Sequence, residues 1–124
     1  MDWYDDCAYE PDRKRQFHAT ARARLPQLAN ALRFAPGEYE IRSQLGGVAV
    51  SGEIVLHCTN VYVQICQPAT RADSGILIRA CDGRKDTTGG RNHFAALRLL
   101  DEMQELAARV RAVMASKPTS SRAA

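Results

Sequence analysis

The sequence predicts an α+β domain with a four-stranded antiparallel meander sheet, a proline-kinked helical segment at its N-terminus and a helix at its C-terminus. Residues of high β propensity with alternating polarity are concentrated between Tyr39 and Asp82. The segments on either side of this stretch repeat their apolar residues at helical spacing. The connections inside it are short, which favours antiparallel neighbours over crossover connections.

Length and composition fit one ordinary globular domain. The chain has 124 residues, of which 45% are hydrophobic and 25% are charged. Its formal net charge of +3 is too small to indicate nucleic-acid binding by itself. No apolar run approaches the roughly 20 residues that span a bilayer, and the acidic N-terminus lacks the basic region of a signal peptide. We therefore expect a cytoplasmic protein, without membrane contact, whose four cysteines are reduced.

Composition divides the chain into an arm, a domain and a tail. Residues 1–11 combine three aromatic side chains with four acidic ones and are predicted to form an extended arm. Such an arm either docks on its own domain or contacts a partner. Residues 12–115 form the single predicted α+β domain, and residues 116–124, which are poor in apolar side chains, are predicted to be disordered.

The N-terminal helical segment is predicted from one apolar stripe. Its members are Phe17, Ala21, Leu25, Leu28 and Leu32. Pro26 interrupts the stripe, so we expect either a kink or two helices of about 12–24 and 26–34. The basic side chains in the first of these pieces are expected to form a solvated face.

The C-terminal helix is predicted from a second stripe. Its members are Leu97, Leu100, Met103, Ala107, Val110 and Met114. The helix is expected to begin near Asn92, or else at Asp101 after a short turn over residues 94–100. In the second case Asp101 caps the helix and Gln104 completes a capping box.

Four strands are predicted at residues 38–43, 48–58, 61–67 and 76–81. Slipping their register by one residue would expose the apolar set, so alternation fixes which residues share a face. The predicted pairs are Cys58–Val61, Leu56–Val63, Ile54–Ile65, Ile41–Val50 and Ile78–Ile65. The apolar face that these pairs create is expected to receive Leu28, Leu32, Leu100, Met103 and Val110 from the helices.

The opposite face of the predicted sheet is mixed in character, and it either stays solvated or binds a partner. Its central rows are predicted to be His57–Tyr62–Cys81 and Val55–Gln64–Arg79. The candidate partner-binding residues on this face are Arg42, His57, Tyr62, Gln64, Arg79 and Cys81. One expected use is homodimerisation, which the substitution Tyr62→Glu would then abolish.

The polar, basic segment 82–93 is predicted to be a loop. It offers a candidate site for an anion or nucleic acid, formed by Arg84, Lys85, Gly89, Gly90 and Arg91. The amides of the two glycines, placed ahead of a helix, would favour an anion. The segment lacks the P-loop pattern, so a solvated connector is the alternative.

No spacing typical of a metal centre or a catalytic site occurs in the chain. There is no C-x-x-C and no H-E-x-x-H, and Ser51-Gly52 lacks the glycine pattern of a nucleophile elbow. His57 and Cys58 are neighbours on a predicted strand and must point to opposite faces. We therefore expect no metal, no cofactor and no catalytic residue, and a protein that is not an enzyme is favoured.

Three segments are distinctive as a set: GEYEIRSQLGGVAVSGEIVLH, VYVQI and GRKDTTGGRNHFA. They resemble small proteins of no known activity that are encoded on bacterial conjugative plasmids and genomic islands. The resemblance covers about residues 37–115, carries over no functional residue, and implies a bacterial cytoplasmic accessory protein. The leading hypothesis is a non-enzymatic module of a mobile element that binds protein or nucleic acid. The alternative is an anion- or nucleotide-binding protein, or a small enzyme, that uses the 82–93 loop.

Overall fold

A computed structural model describes residues 3–4, 10–46, 51–67, 74–83 and 90–115. The elements in chain order are helix α1 (Pro11–Ala31), a 3₁₀ turn (Pro36–Glu38), strands β1 (Tyr39–Gln44), β2 (Glu53–Cys58), β3 (Val61–Ile65), β4 (Ile76–Ala80) and β5 (His93–Ala95), a second 3₁₀ segment (Leu97–Asp101) and helix α2 (Met103–Ala115). The strands form one antiparallel sheet in the order β1-β2-β3-β4-β5. The predicted α+β class, with an antiparallel sheet between an N-terminal and a C-terminal helix, is confirmed, but the sheet has five strands instead of four.

The additional strand, β5, lies where the sequence predicted the end of a loop and the start of a helix. It has three residues, which is too short for alternation to be recognised, and it is held by pairing with β4, where Leu77 lies opposite Phe94. The predicted helix start near Asn92 is therefore wrong. Helix α2 begins at Met103 after the second 3₁₀ segment, with Glu102 at the cap position, where its carbonyl accepts from the Leu106 N–H.

The register within the central hairpin is confirmed, whereas two more distant pairings are wrong. Ile54 lies opposite Ile65 and Leu56 opposite Val63, as predicted. The partner of Ile41 is Leu56 instead of Val50, and the partner of Ile78 is Val63 instead of Ile65. The first error arises because the β1–β2 connection is longer than a tight hairpin, so that β2 begins only at Glu53. In both cases the true partner differs from the predicted one by an even number of residues, so every side chain concerned remains on its predicted face.

Helix α1 runs without a break through Pro26, so its predicted division into two helices is wrong. Pro26 is exposed, which lets water replace the backbone hydrogen bond that proline cannot donate. The helix ends in a Schellman arrangement, in which Arg33 adopts φ 67° and the Phe34 N–H donates to the Ala29 carbonyl at 2.9 Å. Helix α1 therefore ends before the Pro36-Gly37 pair is reached.

The core lies between the sheet and the two helices. Alternate residues of the central strands are fully buried against α1 and α2, and this layer includes Phe17, Leu28, Leu56, Leu100 and Val110. The predicted core positions Leu32 and Met103 are only partly buried at its margin. Within the described ranges, neither helix is long and apolar enough to cross a bilayer.

Four residues of the predicted arm, 3, 4, 10 and 11, lie within the described part of the chain. Pro11 already begins α1, with Glu10 at its N-cap, whereas Trp3 and Tyr4 contact the rest of the domain. The Trp3 ring lies 5.7 Å from the Phe17 ring, and its indole N–H donates to the Asp101 carboxylate at 3.0 Å. The Tyr4 carbonyl accepts from the Gln67 amide at 2.8 Å. Asp101, the predicted helix cap, therefore accepts hydrogen bonds from side chains that are distant in the sequence. The predicted tail, residues 116–124, lies outside the described residues.

Candidate functional site

The face of the sheet that points away from α1 and α2 is called the open face. Its side chains form rows across the strands, and the central rows are Glu40–His57–Tyr62–Arg79 and Arg42–Val55–Gln64–Leu77–Phe94. A further row at the end of the sheet contains Gln44 and Glu53. Most of these side chains are at least partly exposed, in contrast to the apolar face. The exceptions are His57 and Val55, which lie on the second strand and are buried by their neighbours.

His57 is fully buried on this face and is held by Arg42. One guanidinium nitrogen of Arg42 donates to His57 Nδ1 at 3.2 Å, and the other forms an ion pair with the Glu40 carboxylate at 3.0 Å. Since a guanidinium can only donate, Nδ1 must accept, and the ring proton of neutral His57 resides on Nε2. Burial, followed by the charge of Arg42, lowers the pKa of His57, while the Gly83 backbone and Glu40 act in the opposite direction.

Tyr62 joins this pair to Arg79. Its ring meets the His57 ring edge-on at a centroid distance of 5.2 Å, and the Arg79 guanidinium lies 4.3 Å from the ring centroid in a cation–π contact. Its hydroxyl donates to the Gln64 side-chain oxygen at 3.1 Å. Burial is the largest cause that raises the pKa of Tyr62, so the phenol stays protonated at neutral pH. The four residues Arg42, His57, Tyr62 and Arg79 are called the polar cluster, and each is held by at least one neighbour.

A shallow groove of about 310 Å³ borders the polar cluster. Its lining residues are Arg42, Ser43, Gln44, Glu53, Val55 and Tyr62. The volume is at the lower end of the range for small-molecule sites. The lining includes one positive and one negative side chain, since Arg42 lies on β1 and Glu53 lies on β2. The groove therefore suits a side chain of a partner better than a strongly charged ligand.

Phe94 is the most exposed aromatic side chain on the open face, with 55% of its surface accessible. It lies opposite Leu77, which is itself partly exposed, and continues the row that begins at Arg42. Sequence reasoning missed this residue because it missed β5. The only signal was the sequence His93-Phe94-Ala95, a single alternation that fits a helix equally well.

The structure brings together Arg42, His57, Tyr62, Gln64 and Arg79 from the predicted set of partner-binding residues. Cys81 is not in the predicted row, because Arg79 lies opposite Tyr62. It follows the end of β4, is buried, and its thiol donates to the Cys58 carbonyl at 3.6 Å. The two-residue shift in the β3–β4 register accounts for the difference.

Of the predicted anion-binding residues, Arg84, Lys85 and Gly89 lie outside the described residues. Gly90 and Arg91 are exposed, and the Gly90 N–H donates to the Ala80 carbonyl at 2.8 Å. A strand follows them instead of a helix, so the helix N-terminus on which the anion site relied is not there. The site itself stays a prediction of the sequence.

The thiols and metal-ligating side chains in the part of the chain that the structure describes were considered as a possible chemical site. Cys58, Cys66 and Cys81 are free thiols, and burial is the main cause that raises the pKa of Cys58 to about 12. A thiol that stays protonated to such a pH is a poor nucleophile. Within the same ranges, no three His, Cys, Asp or Glu side chains come together as a metal site would require.

Comparisons with protein family models, with curated proteins and with solved structures found no match. A functional proposal for this chain therefore depends on the geometry of the open face.

The buried His57 predicts a pH dependence of stability. Its pKa in the folded protein lies below the value of 6.5 expected in the unfolded chain. Between these two values the unfolded chain binds more protons, so the free energy of unfolding should fall as the pH drops below about 6.5, by up to about 1.4 kcal/mol per pH unit. Above that window this contribution is constant.

The measurement is urea unfolding of wild type and His57→Gln at a series of pH values. The substitution should flatten the slope between about pH 6.5 and the lower pKa of folded His57. Equal slopes for wild type and His57→Gln would contradict the assigned environment of His57.

Proposed function

We propose that the protein is a non-enzymatic binding module that holds a protein partner against the open face of its sheet. The observation that carries this proposal is the exposed Phe94 beside Leu77 in the row that Arg42 begins. Aromatic and arginine side chains dominate the binding energy of protein interfaces, and an apolar centre with a polar rim is their usual arrangement. Phe94 would be the apolar anchor, and the polar cluster would be its rim.

The polar cluster supports this role because its side chains are already ordered. Arg42 is held by Glu40 and His57, and Arg79 by the Tyr62 ring. Side chains that are fixed before binding lose less conformational entropy when a partner arrives. A partner that presents an apolar side chain to Phe94 and polar groups to Arg42 and Arg79 would fit this surface.

The charge of the open face favours protein over nucleic acid. Its described residues include two arginines, Arg42 and Arg79, and two glutamates, Glu40 and Glu53. Nucleic-acid binding draws most of its affinity from lysine and arginine that neutralise phosphates, and this face supplies no surplus of positive charge. Arg42 is also engaged by Glu40. A role within a bacterial mobile element follows only from the sequence resemblance and forms part of the same proposal.

An experiment that locates the contact uses a photo-cross-linking phenylalanine analogue in the full-length protein. One variant carries it at Phe94, and the matched control carries it at Ala108, an exposed position on α2. After irradiation in bacterial cells, a protein cross-linked from position 94 and not from position 108 supports the proposal. Cross-linking of nucleic acid, of a second copy of this chain, or from position 108 alone would overturn it.

A further inference from the structure

Strand β1 is an end strand of the sheet, and its outer edge is open in the part of the chain that the structure describes. It pairs with β2 on one side, and no described strand pairs with the other. All six of its residues are exposed or half-buried. An edge of this kind presents a row of backbone donors and acceptors that another strand can meet.

The sequence of β1 is complementary to itself in one antiparallel register. If Ile41 lies opposite the Ile41 of a second copy, then Glu40 lies opposite Arg42 and Tyr39 lies opposite Ser43. Opposite residues share a face of an antiparallel pair. Glu40 and Arg42 would therefore meet on the open face, whereas the two isoleucines would meet on the face that the helices cover.

The charges of β1 favour this register over its neighbours. A shift of two residues in one direction puts Glu40 opposite Glu40, and a shift in the other direction puts Arg42 opposite Arg42. Like charges directly opposite each other destabilise a strand pair, whereas opposite charges stabilise it. Glu40 and Arg42 already form an ion pair within one chain, and about half of each side chain is exposed, so each can also reach a partner strand.

We propose that two copies of this protein associate through antiparallel pairing of their β1 strands, with the two-fold axis at Ile41, to form a continuous ten-stranded sheet. A second copy is the occupant because the order of charges on the edge complements itself. The open faces of the two copies would then be continuous, with the Arg42–His57 contact of each copy near the seam. This proposal does not depend on the partner of the open face.

Molecular mass in solution tests the proposal. Sedimentation equilibrium of the full-length protein over a concentration series should show a species of twice the 13.7 kDa chain mass. Glu40→Arg places arginine opposite Arg42 and should weaken dimerisation at least about tenfold, because it converts two attractive pairs into repulsive ones. The double variant Glu40→Arg/Arg42→Glu exchanges the charges and should restore the dimer. Circular dichroism and the melting temperature verify that each variant is folded.

Disulfide trapping tests the register. Ile41→Cys should give an inter-chain disulfide through Cys at position 41 under mild oxidation, identified by peptide mapping. The matched control is Ser43→Cys, since in this register position 43 lies roughly 13 Å from its counterpart, too far for a disulfide. A wild type that stays monomeric, equal trapping of both variants, or a dimer that resists Glu40→Arg would overturn the proposal. A dimer that Tyr62→Glu dissociates and Glu40→Arg does not would place the contact on the open face, which also overturns it.

Discussion

Phe17→Ala should reduce the free energy of unfolding by about 3–5 kcal/mol, the usual cost of removing a buried phenylalanine. The Phe17 side chain is fully buried in the layer between α1 and the sheet, and its ring lies against the rings of Trp3 and His18. A domain of this size is typically stable by only about 5–15 kcal/mol. The substitution therefore removes a large share of the total stability and should lower the melting temperature by roughly 10–25 °C.

The matched control is Phe94→Ala, which removes the same side chain from the open face. Phe94 is 55% exposed, so its truncation should change the free energy of unfolding by no more than about 0.5 kcal/mol. Guanidinium unfolding followed by circular dichroism compares the two variants. Similar losses from both would contradict the burial of Phe17 and the exposure of Phe94.

Gly52→Ala should be the second severe substitution, with a loss of at least about 2–3 kcal/mol. Gly52 has φ +73°, where a residue with a Cβ is strained. An added Cβ would also lie 2.6 Å from the backbone carbonyl carbon of Leu45, and it would overlap the Gln44 carbonyl oxygen. Because both obstacles are backbone atoms, no rotation of a side chain can relieve them. The connection between β1 and β2 would have to move.

Two other glycines separate the causes of this loss. Gly83 has φ +119° but has no atom within 4 Å of an added Cβ, so Gly83→Ala measures the backbone strain alone. Gly37 has neither the positive φ nor a close neighbour, and Gly37→Ala should change the free energy of unfolding by less than about 0.5 kcal/mol. The expected order of destabilisation is therefore position 52, then 83, then 37. An equal effect at positions 52 and 37 would contradict the described backbone at Gly52.

The sequence predicted the membership of each face well and the neighbours within it less well. Face membership depends only on alternation, so Ile54, Leu56 and Ile78 were assigned to the core even where their partners were wrong. Neighbours depend on the length of each connection, which local signals define poorly. Because the predicted β1–β2 pairing was displaced by six residues, the contact between Arg42 and His57 was not predicted. This contact joins two members of the polar cluster.

The position of Phe94 on the open face could not be predicted from the sequence, for a different physical reason. A strand of three residues has almost no pattern of its own and owes its conformation to hydrogen bonds with β4. Pro26 shows the same priority of tertiary context over local propensity, since α1 continues through it while its other face is packed on the sheet. In both places packing against the sheet decides the structure.

The proposed binding of a partner to the open face through Phe94 is tested by the affinity of the partner that position 94 cross-links. Its dissociation constant should be measured for wild type and for Phe94→Ala, with Ala108→Ser on α2 as a control. Phe94→Ala is expected to weaken binding at least about tenfold, as is typical of an aromatic anchor, while its stability stays that of wild type. A dissociation constant for Phe94→Ala within about twofold of the wild-type value would show that Phe94 is not the anchor of the open face.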